Sequence, residues 1–231
     1  STNSILMVGA KPVFVEIDEN TWNINVDLIE DEISNKTKAI LVTNVYGSPC
    51  NFNKLYEICR KHEILLIEDA AESFGAEFFG RKSGSLADIS TFSFFGNKTI
   101  TTGEGGMVLT KSSKLHSKVE LLKNQGNSKK KRYYHEILGY NYRMTNIQAA
   151  IGCAQLSKID QILKLKKGID EFYRSKLNDI ATFQQIEKNS QSSFWVTALL
   201  FEDEKLKSHI DKHLGKNNIE TRPLFYPIDE L

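Results

Sequence analysis

Cysteine is scarce in this sequence, and long apolar runs are missing. The three cysteines among 231 residues, Cys50, Cys59 and Cys153, are scattered and form no CxxC pair. This spacing excludes a disulfide framework and a cysteine zinc site, and it is typical of a reducing compartment, so we expect a cytoplasmic location. No stretch approaches the roughly 18 consecutive apolar residues of a membrane-spanning helix, so we expect no membrane partner.

Neither sign of charge is in excess. The chain has 30 Lys and Arg residues against 29 Asp and Glu residues, a formal net charge of +1. A dedicated binder of nucleic acid or of anionic membranes needs a large basic excess, so both classes are excluded. Because 40% of the residues are hydrophobic, intrinsic disorder is excluded as well, and the length suits one or two domains.

Apolar runs of strand length alternate with amphipathic segments in the first part of the chain. Residues 39–43 and 64–67 are continuous apolar runs, and residues 54–62 between them have helical spacing. This alternation predicts an α/β fold with βαβ units and a mostly parallel sheet covered by helices on both faces. The patterns also predict strands at 12–17, 89–95 and 105–110, helices at 26–34 and 112–124, and a loop at 126–142.

Both ends of the chain look abrupt. Residues 1–9 have the pattern of a helix end that stops at Gly9, and residues 219–227 have a strand-like composition. We therefore expect an internal piece of a longer polypeptide, truncated at both ends.

A long helical pattern marks the predicted domain boundary. Thr145 and Gln148 form a capping box, and apolar residues at helical spacing continue from Ile147 to Phe172. We place the boundary near residue 165, inside or just after this helix. The prediction is a large domain at residues 1–165 and part of a smaller C-terminal α/β domain at residues 166–231, with a strand at 193–201 and Trp195 in its core.

Three side chains have the chemistry of a pyridoxal-phosphate site. Asp69 follows an apolar strand, and ligands of open α/β sheets lie at such strand ends. Lys98 lies between an aromatic stretch and a Thr/Gly-rich loop, and Ser93 precedes it by five residues. Taken alone, Asp69 is also compatible with a surface residue and Lys98 with a solvated turn lysine. Together, they offer an amine for the cofactor aldehyde, a carboxylate for the ring nitrogen and a hydroxyl for an anion.

Metal binding is not expected. Acidic side chains and His62 occur near the same strand, but their spacing gives no closed set of ligands.

Three stretches carry a resemblance to a known family. They are residues 67–72 (IEDAAE), 91–106 (TFSFFGNKTITTGEGG) and 139–146 (GYNYRMTN). They resemble, in the same order, motifs of the sugar-nucleotide aminotransferases of the DegT/DnrJ/EryC1/StrS family, and the resemblance spans essentially the whole chain. It implies fold type I of the pyridoxal-phosphate-dependent enzymes, with pyridoxal 5'-phosphate (PLP) as cofactor.

The resemblance also implies roles for individual residues. Lys98 matches the lysine that bonds the cofactor, and Asp69 matches the partner of the pyridine nitrogen. Glu72 matches a residue near the phenolic oxygen of the ring, and Ser93 matches a phosphate ligand. Asn141 matches an asparagine that reaches the phosphate of the neighbouring subunit, which implies a homodimer with shared active sites.

Positions on the substrate side are matched too. Arg143 matches a residue that contacts substrate or orders its own loop, while His135 and Arg222 match positions near the sugar nucleotide. Residues 94–106, 132–135 and 219–223 are most similar to family members that move an amino group from L-glutamate to carbon 4 of GDP-4-keto-6-deoxymannose.

Two alternatives stay open at this point. One is an aminotransferase that acts on another keto sugar linked to UDP or dTDP, and the other is a non-catalytic dimer partner. Relatives that dehydrate sugars at carbon 3 have histidine at the position of Lys98, so the lysine favours transamination. The family usually has histidine where Asn44 stands, and its phosphate-cradling turn lies before the first residue of this chain.

Overall fold

The structure is a computed structural model that describes residues 1–226. Its α-helices are α1 (Thr2–Met7), α2 (Phe52–His62), α3 (Ser113–Lys123), α4 (Asn146–Leu156), α5 (Ile159–Leu177) and α6 (Glu204–Lys216). Its strands are β1 (Ala39–Thr43), β2 (Leu65–Asp69), β3 (Glu77–Phe78), β4 (Arg81–Lys82), β5 (Ile89–Ser93), β6 (Gly106–Thr110), β7 (Thr182–Phe183), β8 (Ser190–Gln191) and β9 (Leu199–Leu200). The predicted strands at 39–43 and 64–67 and the helix between them are confirmed.

The central sheet has the strand order β1-β2-β5-β6. Strands β1, β2 and β5 are parallel, and β6 pairs antiparallel with β5. The mostly parallel sheet expected from the alternating pattern is therefore confirmed. In register, Thr43 lies beside Asp69 and Asp69 beside Thr91, so the carboxyl ends of β1 and β2 form one polar row with the middle of β5, which continues to Ser93.

Helix α2 covers one face of this sheet. Its Phe52 and Leu55 are fully buried against a core that includes Val42 and Leu66. Burying each such side chain contributes about 1.5–3 kcal/mol. The helix begins where the side chain of Asn51 accepts from the backbone N–H of Lys54, at 3.2 Å. This anchored layer holds the strand ends in place.

Two predictions near the amino end are wrong. Residues 12–17 form no strand apart from one bridge between Ile17 and Ile24. Residues 26–34 form two short 3-10 helices, Val26–Leu28 and Glu30–Glu32, in place of an α-helix. The buried residues of this segment are Val26 and Ile29, three apart, and that spacing suits a 3-10 helix with three residues per turn.

The long helical pattern after residue 145 is two helices. The capping box of Thr145 and Gln148 is confirmed at the start of α4. The pattern is interrupted at Ser157, whose hydroxyl bonds back to the Ala154 carbonyl at 2.9 Å and so competes with regular helical bonding. The boundary predicted near residue 165 falls inside α5, and the division into two domains stays a prediction.

The strands predicted beyond residue 190 are much shorter than expected. Within residues 193–201, the strand is limited to Leu199 and Leu200. A strand through residue 194 is interrupted because the backbone of Phe194 is in the left-handed region (φ 49°). Residues 219–226 form no strand, and residue 227 lies outside the described residues.

Candidate active site

Asp69 lies at the carboxyl edge of the sheet. It is the last residue of β2, and its side chain points to the face opposite that of its neighbour Glu68, because side chains alternate along a strand. Its Oδ2 accepts from the Ser1 hydroxyl at 2.6 Å, and its Oδ1 accepts from the backbone N–H of Ala71 at 3.1 Å. The carboxylate is thus fixed at the strand end, where the sequence placed it.

Lys98 lies in the turn that follows β5. Its backbone N–H donates to the carbonyl of Phe95 at 3.0 Å, which forms the turn. Its Nζ lies 3.8 Å from Glu72 Oε1 and 4.0 Å from the ring centroid of Trp195. The side chain is 14% exposed, so the amine is largely withdrawn from solvent.

Glu72 connects the lysine and the aspartate electrostatically. Burial raises the pKa of its carboxyl group, while the N–H of Tyr46, 2.8 Å from Oε2, and the charge of Lys98 lower it, and Asp69 raises it further. The three titratable side chains therefore lie within electrostatic reach of one another, as the sequence motifs suggested.

The raised pKa of Glu72 predicts a pH-dependent stability. The folded protein binds the proton of Glu72 more tightly than the unfolded protein does, so protonation of Glu72 stabilises the fold. This stabilisation is complete at pH values below the ordinary pKa of 4.5, and it is lost as the pH rises through the raised pKa of the folded protein. The variant Glu72→Gln keeps an acceptor for the Tyr46 N–H but cannot ionise. We expect its free energy of unfolding, relative to the unmodified protein, to increase between pH 4 and pH 7.5 in urea titrations.

The control for this titration is Glu57→Gln on the exposed face of α2. Its difference from the unmodified protein should stay nearly constant over the same range. A difference for Glu72→Gln that shrinks as the pH rises would contradict the assignment.

Ser93 ends β5 on the same edge of the sheet. Its hydroxyl oxygen accepts from the backbone N–H of Phe95 at 3.3 Å and can still donate its hydrogen to an anion. Beyond Lys98, the hydroxyl oxygen of Thr99 is buried and has no hydrogen-bond partner among the described residues. The two hydroxyl groups flank the lysine in sequence.

Three of the predicted residues lie in a separate loop that packs on the end of α3. Asn141 forms a backbone bridge with Asn124, and Arg143 Nη1 donates to the side chain of Asn124 at 3.1 Å. The His135 Nδ1 lies 2.7 Å from the carbonyl of Gln125. All three side chains are exposed, and none of their recorded contacts within residues 1–226 joins them to Lys98.

Arg222 lies in the segment after α6. It pairs with Glu220 at 3.1 Å, and both side chains are exposed. Three residues later, the ring of Phe225 stacks on Tyr46 with centroids 5.7 Å apart. The segment thus passes the residue whose N–H binds Glu72, although Arg222 itself has no contact with the lysine or the aspartate among the described residues.

Two contacts of the site were not anticipated from the sequence. Trp195 was expected to be a core residue of the small domain, but its ring covers the amine of Lys98 and its Nε1 donates to the carbonyl of Asn97 at 2.8 Å. Tyr46 has a left-handed backbone (φ 53°), which turns its N–H toward Glu72. Left-handed conformations of bulky residues are uncommon and cluster at functional sites.

Residues 1–226 contain neither a candidate metal centre nor a membrane-spanning helix. No group of three or more His, Cys, Asp or Glu side chains has a geometry suited to a metal ion. None of the helices combines the length and the apolar character needed to cross a bilayer.

Comparison with known proteins gives the family. The family model for DegT/DnrJ/EryC1/StrS aminotransferases matches residues 1–231. The GDP-perosamine synthase of Escherichia coli O157:H7 is 42% identical over 228 residues, which cover 99% of this chain and 63% of that protein. The GDP-perosamine synthase of Vibrio cholerae is 44% identical over 237 residues, which cover 100% of this chain and 64% of that protein. The chain thus spans less than two thirds of the length of these relatives.

A solved structure agrees. The Escherichia coli GDP-4-keto-6-deoxy-D-mannose-3-dehydratase with bound hydrated PLP matches with a TM-score of 0.87 and 27% identity, over 95% of this chain and 61% of that one. The fold type I architecture implied by the sequence motifs is thereby confirmed. On the sequence match over its whole length and on this shared fold, the chain belongs to the DegT/DnrJ/EryC1/StrS aminotransferase family.

Proposed function

We propose that the whole protein transfers an amino group from L-glutamate to the 4-keto carbon of a nucleotide-linked 4-keto-6-deoxy sugar, with PLP as cofactor. The observation that carries this proposal is the largely buried amine of Lys98, which lies beside the carboxylate of Glu72. Glu72 follows Asp69, the last residue of β2, by three residues. Such sugars are used in polysaccharide, O-antigen and other glycan biosynthesis.

The side chains present fit this cofactor. An aldehyde requires a primary amine shielded from bulk water, and Lys98 supplies a largely buried amine. A pyridine nitrogen requires a carboxylate partner, and Asp69 supplies one at the neighbouring strand end. When bound, PLP acts as an electron sink that stabilises a developing carbanion.

Each residue would then have a distinct role. Lys98 would hold the cofactor through its Nζ, and the same amine would carry the proton to and from the reacting carbon. Asp69 holds the proton on the ring nitrogen, and Glu72 lies toward the phenolic oxygen. Ser93 binds the phosphate, and Asn141 reaches the phosphate of the partner subunit.

The substrate side is supported more by similarity than by geometry. Identities of 42–44% with two GDP-perosamine synthases support a GDP-linked sugar and perosamine as the aminated product. We assign Arg143, His135 and Arg222 to the sugar-nucleotide side. Lys98 at the position of a histidine in the sugar dehydratases of the family favours amination over loss of a hydroxyl group.

The remaining assignments follow from the same proposal. Asn141 in an exposed loop supports a homodimer with shared sites, and three free cysteines support a cytoplasmic location. We assign residues 1–165 to the large cofactor-binding domain and residues 166–231 to part of the small domain. A non-catalytic dimer partner is disfavoured because Lys98, Asp69 and Ser93 are all retained.

The deciding experiment uses the full-length protein with PLP. We expect a visible absorbance that borohydride abolishes and a peptide in which the cofactor is attached to Lys98. Incubation with L-glutamate and a panel of GDP-, UDP- and dTDP-linked keto sugars should give an aminated product by mass, and NMR should locate the amine at carbon 4. An amine at carbon 3 or a product without nitrogen would overturn the assignment.

The variant Asp69→Asn should lose catalysis without losing the fold. The amide has the shape of the carboxylate but cannot hold a proton on the ring nitrogen by charge, so we expect the rate of the glutamate half-reaction to fall by roughly 10²–10³. Stopped-flow absorbance of the full-length variant measures this rate. The exposed variant Asp31→Asn is the control, and an unchanged rate in Asp69→Asn would remove Asp69 from the site.

A further inference from the structure

One aromatic ring from a distant part of the chain covers the amine of Lys98. Trp195 is 97 residues further along the sequence, yet its ring centroid lies 4.0 Å from Lys98 Nζ. The tryptophan is 8% exposed, so the ring is itself held in place. A cation over an indole face is attracted by the ring quadrupole, and the attraction grows when water is excluded.

Trp195 is held by one hydrogen bond from its ring and another to its backbone. Its Nε1 donates to the carbonyl of Asn97, the residue before Lys98, at 2.8 Å. Its own backbone carbonyl accepts from Lys166 Nζ on α5 at 3.0 Å, and burial lowers the pKa of Lys166. The indole therefore contacts both the backbone of the turn at Asn97 and the side chain of Lys98 in that turn.

The residues just before Trp195 connect the other parts of the site. Ser193 N donates to the carbonyl of Gly47 at 3.0 Å, and its hydroxyl donates to the carbonyl of Glu72 at 2.9 Å. A Cβ on Gly47 would clash with the Ser193 hydroxyl, so these two segments of the chain lie as close together as glycine permits. Phe194 is held in a left-handed conformation (φ 49°) between these contacts. Such strain persists where the surroundings fix the backbone.

We propose that Trp195 is a positioning residue for Lys98: its ring covers one face of the amine, excludes water from it and directs Nζ toward the carboxylate side of the site. This inference rests on the proposed function, because an amine that bonds a cofactor and carries a proton must keep one direction. Lysine has a long flexible side chain, and the Glu72 carboxylate approaches its amine no closer than 3.8 Å. The indole supplies the missing constraint.

The test measures the amine itself in the full-length protein freed of cofactor. Trinitrobenzenesulfonate modifies uncharged, accessible amines, and peptide mass spectrometry gives the rate at Lys98 relative to exposed Lys36. Loss of the ring exposes the amine and removes its cation–π contact. We expect Trp195→Leu to raise the relative rate roughly fivefold to thirtyfold, the scale of a cation–π contact of about 1–2 kcal/mol.

Two variants separate positioning from general packing. Trp195→Phe keeps an aromatic face and should stay within about twofold of the unmodified rate. Trp22→Leu disturbs the same buried cluster, since Trp22 packs on Tyr46, but it lacks the contact with Lys98 and should leave the rate unchanged. An equal rise in Trp22→Leu, a rise in Trp195→Phe as large as in Trp195→Leu, or no rise in Trp195→Leu would each overturn the inference.

A second measurement covers the case in which Trp195→Leu fails to fold. Lys98→Met should change the tryptophan fluorescence of the full-length protein, and the change should vanish in a Trp195→Phe background. Absence of the change would overturn the inference. Borohydride trapping of PLP on Lys98 tests the proposed function separately. If PLP is trapped on Lys98 but Trp195→Leu does not change the labelling rate, the positioning role is wrong and the proposed function stands.

Discussion

Replacing Lys98 with alanine in the full-length protein should abolish detectable transamination. The variant loses the amine that bonds the cofactor and the base that moves the proton, and general acid–base catalysis alone contributes on the order of 10²–10⁴ in rate. Glu72, whose Oε1 lies 3.8 Å from Lys98 Nζ, cannot replace it, because a carboxylate forms no imine with the aldehyde of the cofactor. Stopped-flow absorbance with L-glutamate and mass detection of the aminated sugar measure the loss.

A matched control tests whether the loss is specific to this amine. Lys82→Ala removes an exposed lysine that pairs with Glu77 on the surface, and exposed pairs contribute little. Its turnover should remain that of the unmodified protein. If Lys98→Ala turns over glutamate and keto sugar at the unmodified rate, the assignment of the cofactor lysine is wrong.

The parts of the site close together in sequence were predictable. Asp69 follows an apolar run, and in a parallel sheet such a residue lies at the ligand-binding edge. Lys98 and Ser93 belong to one strand and its turn, so local composition was enough to single them out. Their environment was less predictable: which ring covers the lysine depends on a contact across 97 residues, and no local pattern in residues 193–195 encodes it.

The same distinction explains the fold. Strands β1 and β2 contain most of the continuous apolar runs that begin at residues 39 and 64, and such runs are strong signals. Residues 12–17 have the composition of a strand, but Val13 and Phe14 are exposed and pair with no neighbouring strand among the described residues. Composition gives the propensity of a segment, whereas a strand also needs a partner edge.

Asn44 shows what a departure from a family pattern can mean. Its side chain is fully buried and donates to Glu68 Oε1 at 2.9 Å, and its own oxygen accepts from the backbone N–H of Cys50 at 3.1 Å. The residue thus acts in the core beneath the site, away from the face that carries Asp69. A change at this position therefore bears on packing more than on chemistry.

Replacing Glu68 with leucine should leave the protein largely unfolded. Glu68 is fully buried, and its carboxylate is surrounded by neutral donors. They are Asn44 Nδ2, Ser83 Oγ, Ser90 Oγ and the backbone N–H groups of Gly84 and Leu86. Leucine accepts from none of them. Asn44 Nδ2 and Ser83 Oγ keep Ser73 Oγ as a partner, but each of the three other donors left unpaired costs about 1–3 kcal/mol. Their sum is comparable with the whole stability of a domain, about 5–15 kcal/mol. Urea unfolding of the full-length protein measures the loss.

Two neighbouring substitutions make this prediction sharp. Glu68→Gln retains an acceptor oxygen for part of the donor set, so its stability should fall between those of Glu68→Leu and the unmodified protein. Asp69→Asn changes the next residue, which faces the site, and it should unfold within about 1 kcal/mol of the unmodified protein because it keeps its shape and its backbone contact. Of these adjacent carboxylates on opposite faces of β2, Glu68 would then serve folding and Asp69 would serve catalysis. A Glu68→Leu variant as stable as Asp69→Asn would show that the core tolerates loss of this acceptor.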